Sequence, residues 1–200
     1  MSRVLRLSIL CHGATTDRRS AAFPADEPLA DGEGAKALAI DLSLTGNTRI
    51  FAGPELRTRQ TADALGLDYT TDRNFCDLDY GHWRGRTLTE ISGEQPDNIA
   101  AWVSDASAAP HGGESISVVL ARVSAWMQDR FASGGHDVIV THPAVIRAMV
   151  IVALGAPVAA FWKLDVGHLT LTDIRSDGRR WALRGFALPP TSGRNRPSEL

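Results

Sequence analysis

Four polar side chains of three types, far apart in this sequence, could between them carry out a group transfer: His12, Arg57, Asp77 and His142. A neutral imidazole is an available nucleophile near neutrality, because an unperturbed histidine titrates at about 6.5. A phosphoryl group in transfer spreads negative charge over its equatorial oxygens, so fixed cations and N–H donors lower the barrier. In that chemistry His12 would attack, while Arg57 and a protonated His142 would supply positive charge. Helix N-termini beginning near Pro54 and Pro143 would add oriented backbone donors. An alcohol leaves poorly as an alkoxide, so Asp77 would hand over a proton and afterwards act as base for water. Asp79 and Glu114 are the competing carboxyls, and Arg57 could instead cap its own helix or pair with Asp63.

For these residues to meet, the elements carrying them must end on one side of a sheet. Val4–Leu10 is a short β-prone run closed by Gly13, and Asp137–Thr141 (DVIVT) reads as a buried strand. His12 and His142 directly follow these runs. Arg49–Ala52 is a third strand, and the helix opened by Gly53-Pro54 carries Arg57 in its first turn. Leu67–Asp77 is extended or irregular. Asp31–Leu44 carries Ala35, Leu38, Ala39 and Leu42 at helical spacing. Short helical pieces are expected around Leu88–Ile91 and Ile99–Val103, and a longer helix from an N-cap at Ser115 to Phe131. Pro143 starts a further helix to Leu154. Leu169–Ile174 and Trp181–Ala187 flank an Asp177-Gly178 turn and add an antiparallel edge. Strands alternating with helices predict an α/β domain, a three-layer αβα sandwich whose central sheet is mostly parallel. In such sheets the ligand crevice lies beyond the carboxyl ends of the strands.

Five motifs in order resemble those of the histidine phosphatase superfamily, the group that includes the phosphoglycerate mutases. Leu10-Cys11-His12-Gly13-Ala14-Thr15 is similar to the family's Arg-His-Gly-x-Thr segment. Gly53 to Ala62 is similar to its Ser-Pro-x-x-Arg-Ala-x-Gln-Thr-Ala helix. Asp77 to Gly85 resembles Glu-x-Asp-Phe-Gly-x-Trp-x-Gly, with Trp83 beside the pocket. His111 to Ser115 contains its Gly-Glu-Ser turn, and Val140 to Arg147 its second-histidine motif. The resemblance spans roughly Val4 to Leu188 and implies a phosphoglycerate mutase-like fold. It also implies that His12 is phosphorylated, that Arg57 and His142 grip phosphate, and that Asp77 is the proton donor. Cys11, Gly13, Thr15 and Glu114 would then line the substrate site. The departure is Cys11, where the resemblance implies a clamping arginine. Loss of one such donor typically costs on the order of 10²–10³ in rate, and a thiol cannot replace a bidentate guanidinium. Arg18 and Arg19 follow His12 closely enough to fold back and restore charge.

Other chemistries for Cys11 fare worse. A cysteine phosphatase loop needs an arginine six residues after its nucleophile, and Asp17 occupies that place. A metal site of Cys11, His12 and His142 meets the objection that adjacent strand residues point to opposite faces, so neither metal nor cofactor is expected. A buried small side chain filling the arginine's space is the plainer account. The expected activity is therefore phosphomonoester hydrolysis through a phosphohistidine. The alternatives are a non-catalytic phospho-ligand binding or regulatory protein and, behind it, a phosphomutase.

Composition limits the partners. The chain has 200 residues, 44% hydrophobic and 22% charged, with a formal net charge of −2. That balance is typical of a globular protein and gives no bulk attraction to nucleic acid or anionic membrane. The expected partner is a small-molecule phosphate ester, with no nucleic acid and no membrane. Two cysteines are too few for a disulfide framework, and the apolar N-terminal run is broken by Arg6 and Ser8, so a cytoplasmic location is expected. Residues 1–188 are expected to form one domain, and PPTSGRNRPSEL from Pro189 a disordered tail.

Overall fold

The computed structural model describes residues 4–16, 22–131 and 133–190. Its strands are β1 (Leu5–Cys11), β2 (Thr48–Ala52), β3 (Thr70–Thr71), β4 (Gly135–Thr141), β5 (Leu171–Ser176) and β6 (Trp181–Leu188). They form a single sheet in the order β3-β2-β4-β1-β5-β6. β1, β2, β3 and β4 pair in parallel, whereas β5 and β6 run antiparallel at one edge. This is the mixed α/β architecture expected from the alternating pattern.

Helices cover both faces, and strand periodicity decides which residues meet which layer. Leu5, Leu7, Ile9 and Cys11 of β1 point into the larger core, against Val119, Val123 and Met127 of α5 (Ile116–Arg130) and Val145, Ile146 and Met149 of α6 (Pro143–Leu154). Leu10 and Val140 point the other way, towards Ala52 and Ala62, the latter on α2 (Leu56–Ala64). α1 (Glu33–Leu38) packs beside α2. Ser115 caps α5 as its sequence predicts, its side chain accepting from Val118 N. α6 begins at Pro143, where a missing N–H costs nothing, and ends at Gly155 in the left-handed region.

A satellite core of Phe23, Trp83, Ile91 and Trp102 lies under α3 (Leu88–Glu94) and α4 (Pro96–Ser104). The satellite core steadies the segment on which Tyr80 and Pro24 border the crevice. Gly81 is required there, because a Cβ would collide with the His111 carbonyl.

One helix differs from expectation. The spacing over Asp31–Leu44 predicts a long helix with Ala35, Leu38 and Ala39 inward, but α1 covers only Glu33–Leu38 and exposes all three. Its inward face is Glu33 and Ala37, and the chain leaves the helix so that Leu42 can be buried separately. The expected tail falls largely on residues 191–200, outside the described residues.

Candidate active site

β1 and β4 are parallel neighbours in a register that sets Cys11 opposite Thr141. The next residue on each strand is a histidine, so both leave the sheet at its carboxyl edge, side by side. Their ring centroids are 5.1 Å apart. Both are buried, His12 at 4% exposure and His142 at 0%.

The loop carrying His12 is held from four directions. His12 N donates to Thr141 O at 2.9 Å, Gly13 N to Thr61 Oγ1 at 3.0 Å and Ala14 N to Glu33 Oε2 at 2.8 Å. From the fourth side, Leu169 N reaches Cys11 O at 3.2 Å and His12 O at 3.3 Å. His12 Nδ1 lies 2.7 Å from Gly13 O. A carbonyl can only accept, so Nδ1 carries the proton and Nε2 keeps its lone pair. Burial first, then the nearby His142 and the Arg57 guanidinium, holds the His12 pKa well below the ordinary value. The imidazole is thus neutral through the physiological range.

Arg57, in the first turn of α2, is 2% exposed. Its Nη2 donates to Asp77 Oδ2 at 2.6 Å and its Nε to His142 Nδ1 at 3.3 Å. Among the described residues its Nη1 is buried with no hydrogen-bond acceptor; Asp26 and Glu27 stand off at 3.8 and 4.0 Å. Since a guanidinium only donates, Nδ1 of His142 accepts, and the ring proton sits on Nε2, facing Glu55 Oε2 at 2.7 Å. These two contacts thus account for one ring N–H of His142, on Nε2. Burial alone would raise the Glu55 pKa, but the His142 contact overrides it and holds the carboxyl down at about 2. Glu55 Oε1 also accepts from Asp77 N at 3.0 Å, so one side chain orients both neighbours. Gly53 makes this possible: a Cβ there would stand 2.6 Å from Phe75 O and 3.1 Å from His142 Nε2.

Two adjoining pockets of about 200 and 260 Å³ open at this edge and share Pro24, Arg57 and Asp77. The first is lined by His12, Thr15, Glu27, Tyr80, Arg147 and His168 among others, the second by Asp26, Glu55 and Arg84. His12, Arg57, Asp77, His142 and Thr15 are brought together. Gly13 supports the loop with its N–H already engaged. Cys11 is fully buried beneath the pocket, among the core residues, and burial pushes its thiol pKa far up. It does not line either cavity. Glu114 is not brought to the pocket at all: it binds Arg122 at 2.8 and 3.1 Å, and Arg122 holds the carbonyls of Asn74 and Cys76. Arg18 and Arg19 lie outside the described residues.

Sequence reasoning missed Glu55, Arg147 and His168. Arg147 lies one turn after Pro143 on α6, the face the crevice uses, so helical spacing could have flagged it. Glu55 sits inside a motif already singled out. Nothing local marks His168, whose ring comes within 5.3 Å of His12. The same approach corrects the objection to a metal. β1 ends at Cys11, the chain turns, and potential ligand atoms of Cys11, His12 and His168 all lie within 4.8 Å of one another. His142, engaged by Arg57 and Glu55, is not part of that group.

Comparisons with known proteins show the family and the fold. The model of the histidine phosphatase superfamily (branch 1) matches residues 7–188. Phosphoserine phosphatase 1 of Hydrogenobacter thermophilus is 28% identical over 157 residues, covering 73% of this chain and 72% of that protein. Glucosyl-3-phosphoglycerate phosphatase of Mycolicibacterium vanbaalenii is 32% identical over 173 residues, covering 78% and 77%. The native structure of a mycobacterial glucosyl-3-phosphoglycerate phosphatase superposes with a TM-score of 0.80 at 26% identity, over 93% of this chain and all of that one.

Proposed function

Since this chain belongs to the histidine phosphatase superfamily (branch 1), we propose that it is a phosphatase of small phosphorylated metabolites in which His12 carries the phosphoryl group. The observation that carries this reading is the pair of imidazoles 5.1 Å apart with the Nη1 of Arg57 buried beside them and, among the described residues, without a hydrogen-bond acceptor. A tetrahedral dianion supplies the acceptor that this nitrogen lacks.

The chemistry follows from the resting hydrogen bonds. His12 Nε2 holds a lone pair, and the Gly13 carbonyl steadies the Nδ1 proton and the charge that develops on the ring. Substrate oxygens reaching Arg57 compete with Asp77 for the guanidinium, freeing Asp77 to face the leaving oxygen. Released from the guanidinium, Asp77 takes up a proton from solvent; His12 Nε2 then forms a bond to phosphorus as the P–O bond to the leaving oxygen breaks, and Asp77 passes its proton to that oxygen. Water, deprotonated by the same carboxylate, then attacks phosphorus and returns His12 with release of phosphate. Each role is filled by a side chain, so turnover without added metal is expected. Arg147 adds a second cation on the pocket wall, which supports activity in spite of Cys11 and speaks against a binding-only role.

The two pockets are small, which suits a compact ester and not a nucleic acid or a membrane. Glu27 and Asp26 on the rim favour a leaving group bearing hydroxyl or ammonium donors. Among the described residues no helix is long and apolar enough to cross a membrane; the free cysteines Cys11 and Cys76 fit a reducing cytoplasm. Hydrolysis of a chromogenic phosphomonoester without added metal tests the reading. Wild type should turn over and His12→Ala should not. Equal turnover by wild type and His12→Ala would overturn it.

A further inference from the structure

The three donors gathered under the pocket point to a function that the hydrolysis does not use. We infer that Cys11, His12 and His168 form a site for a zinc-class divalent ion, and that its occupancy switches the phosphatase off. The inhibitory half rests on the reading of His12 as nucleophile; the binding half does not.

The donor set is one sulfur and two imidazoles, which suits zinc and its d-block neighbours and not magnesium or calcium. Their ligand atoms lie within 4.8 Å of one another. Zinc–sulfur and zinc–nitrogen bonds of about 2.3 and 2.1 Å place tetrahedral donors roughly 3.3–3.8 Å apart. Closing that difference falls mainly to His168, which is half-buried, while Cys11 and His12 are fixed in the core. The His12 tautomer is already correct. Its Nδ1–H is committed to Gly13 O at 2.7 Å, the outer contact that ligating histidines usually make, and Nε2 is left to coordinate.

The segment that presents His168 is itself held unusually. Leu169, a non-glycine, adopts φ +53, in the left-handed region. Its N–H reaches both the Cys11 and the His12 carbonyls. A strained residue bonded to the backbone of two candidate ligands positions the third beside them. His12 and His168 both line the pocket that Thr15 and Arg147 also border, so water or a phosphate oxygen there would be available as a fourth ligand.

Binding exchanges the thiol proton for the metal, releasing one proton to solvent. The Nε2 lone pair then forms the metal bond and cannot attack phosphorus. Metal and phosphoryl transfer are mutually exclusive at one nitrogen.

Cobalt(II) is the probe, because a cobalt–thiolate bond gives an ultraviolet charge-transfer band whatever the activity. Chelator-treated full-length protein is titrated with cobalt(II), and with zinc(II) in competition, alongside Cys11→Ser and His168→Gln. Folding of each variant is checked by circular dichroism. We expect one equivalent with a thiolate band in wild type and no band in Cys11→Ser. In His168→Gln the affinity should fall by more than the roughly 10–100-fold that loss of an outer contact costs. Zinc should abolish hydrolysis over the range in which it displaces cobalt. A wild-type spectrum without the thiolate band overturns the site, as does unchanged affinity in His168→Gln, which serves even if Cys11→Ser fails to fold. A thiolate band in a protein without turnover upholds the metal site while removing the phosphatase reading. Full hydrolysis by the zinc-saturated protein removes the switch.

Discussion

Glu55 Oε2 meets His142 Nε2 at 2.7 Å, and through its other oxygen the same carboxylate holds the backbone of Asp77. One buried contact thus orients both the second imidazole and the proton donor. It depends in turn on Gly53, the only residue type that leaves the space.

Removing that contact should misplace two groups at once. Glu55→Ala is expected to lower kcat/KM by about 10²-fold, the usual penalty for a displacement near 1 Å. Glu55→Gln, which keeps an acceptor for Nε2–H, should recover much of the loss. Gly53→Ala should resemble Glu55→Ala. Steady-state kinetics on the three variants checks the order, and an equal loss in Glu55→Gln would argue that charge, not orientation, matters.

Asp77 should matter in proportion to the leaving group. With an alkyl phosphate, whose alkoxide needs a proton, Asp77→Ala should cost about 10²–10⁴ in rate. With a nitrophenyl phosphate, whose leaving group is a weak base, the first step should change little. Comparing the two substrates in burst and steady-state assays separates an acid from a residue that only pairs with Arg57.

The depressed pKa of His12 has a definite sign. The folded protein keeps the ring neutral below the ordinary histidine pKa of about 6.5. The nucleophile therefore stays competent as pH falls past the ordinary histidine value, and kcat/KM should show no loss from ring protonation there. Stability moves oppositely. His12, His111 and His136 all have lowered pKa values, chiefly from burial. The unfolded chain thus takes up protons first, and stability should be lost as pH drops below about 6.5 towards the folded values. Urea unfolding across that range should give a falling midpoint; a flat one would contradict the burial argument.

Asp137 offers a stability change remote from the chemistry. It is fully buried near the start of β4, binding Arg49 and, at 3.1–3.3 Å, Arg130. Asp137→Ala leaves both guanidinia without a counter-charge and should destabilise by on the order of 3 kcal/mol. For a domain of this size that lowers Tm by roughly 6–12 °C. The kcat below the new melting point should be unchanged, because His142 leaves the opposite end of the strand.

The sequence by itself determined the strand ends and helix starts that matter. Apolar runs closed by histidine at 12 and 142, proline at 54 and 143, and a serine cap at 115 are local signals. Backbone hydrogen bonding and φ restriction act over a few residues, so such signals are readable without a partner. Strand ends sharing an edge then forced His12, Arg57 and His142 towards one place. Only the tertiary structure decided what each side chain faces. Glu55 on His142, Glu114 turned away to Arg122, Ala37 and not Leu38 inward on α1, and His168 beside His12 are all such cases. These pairings depend on the register of distant strands and on which space is left after the core has packed, and no local period in the chain encodes either.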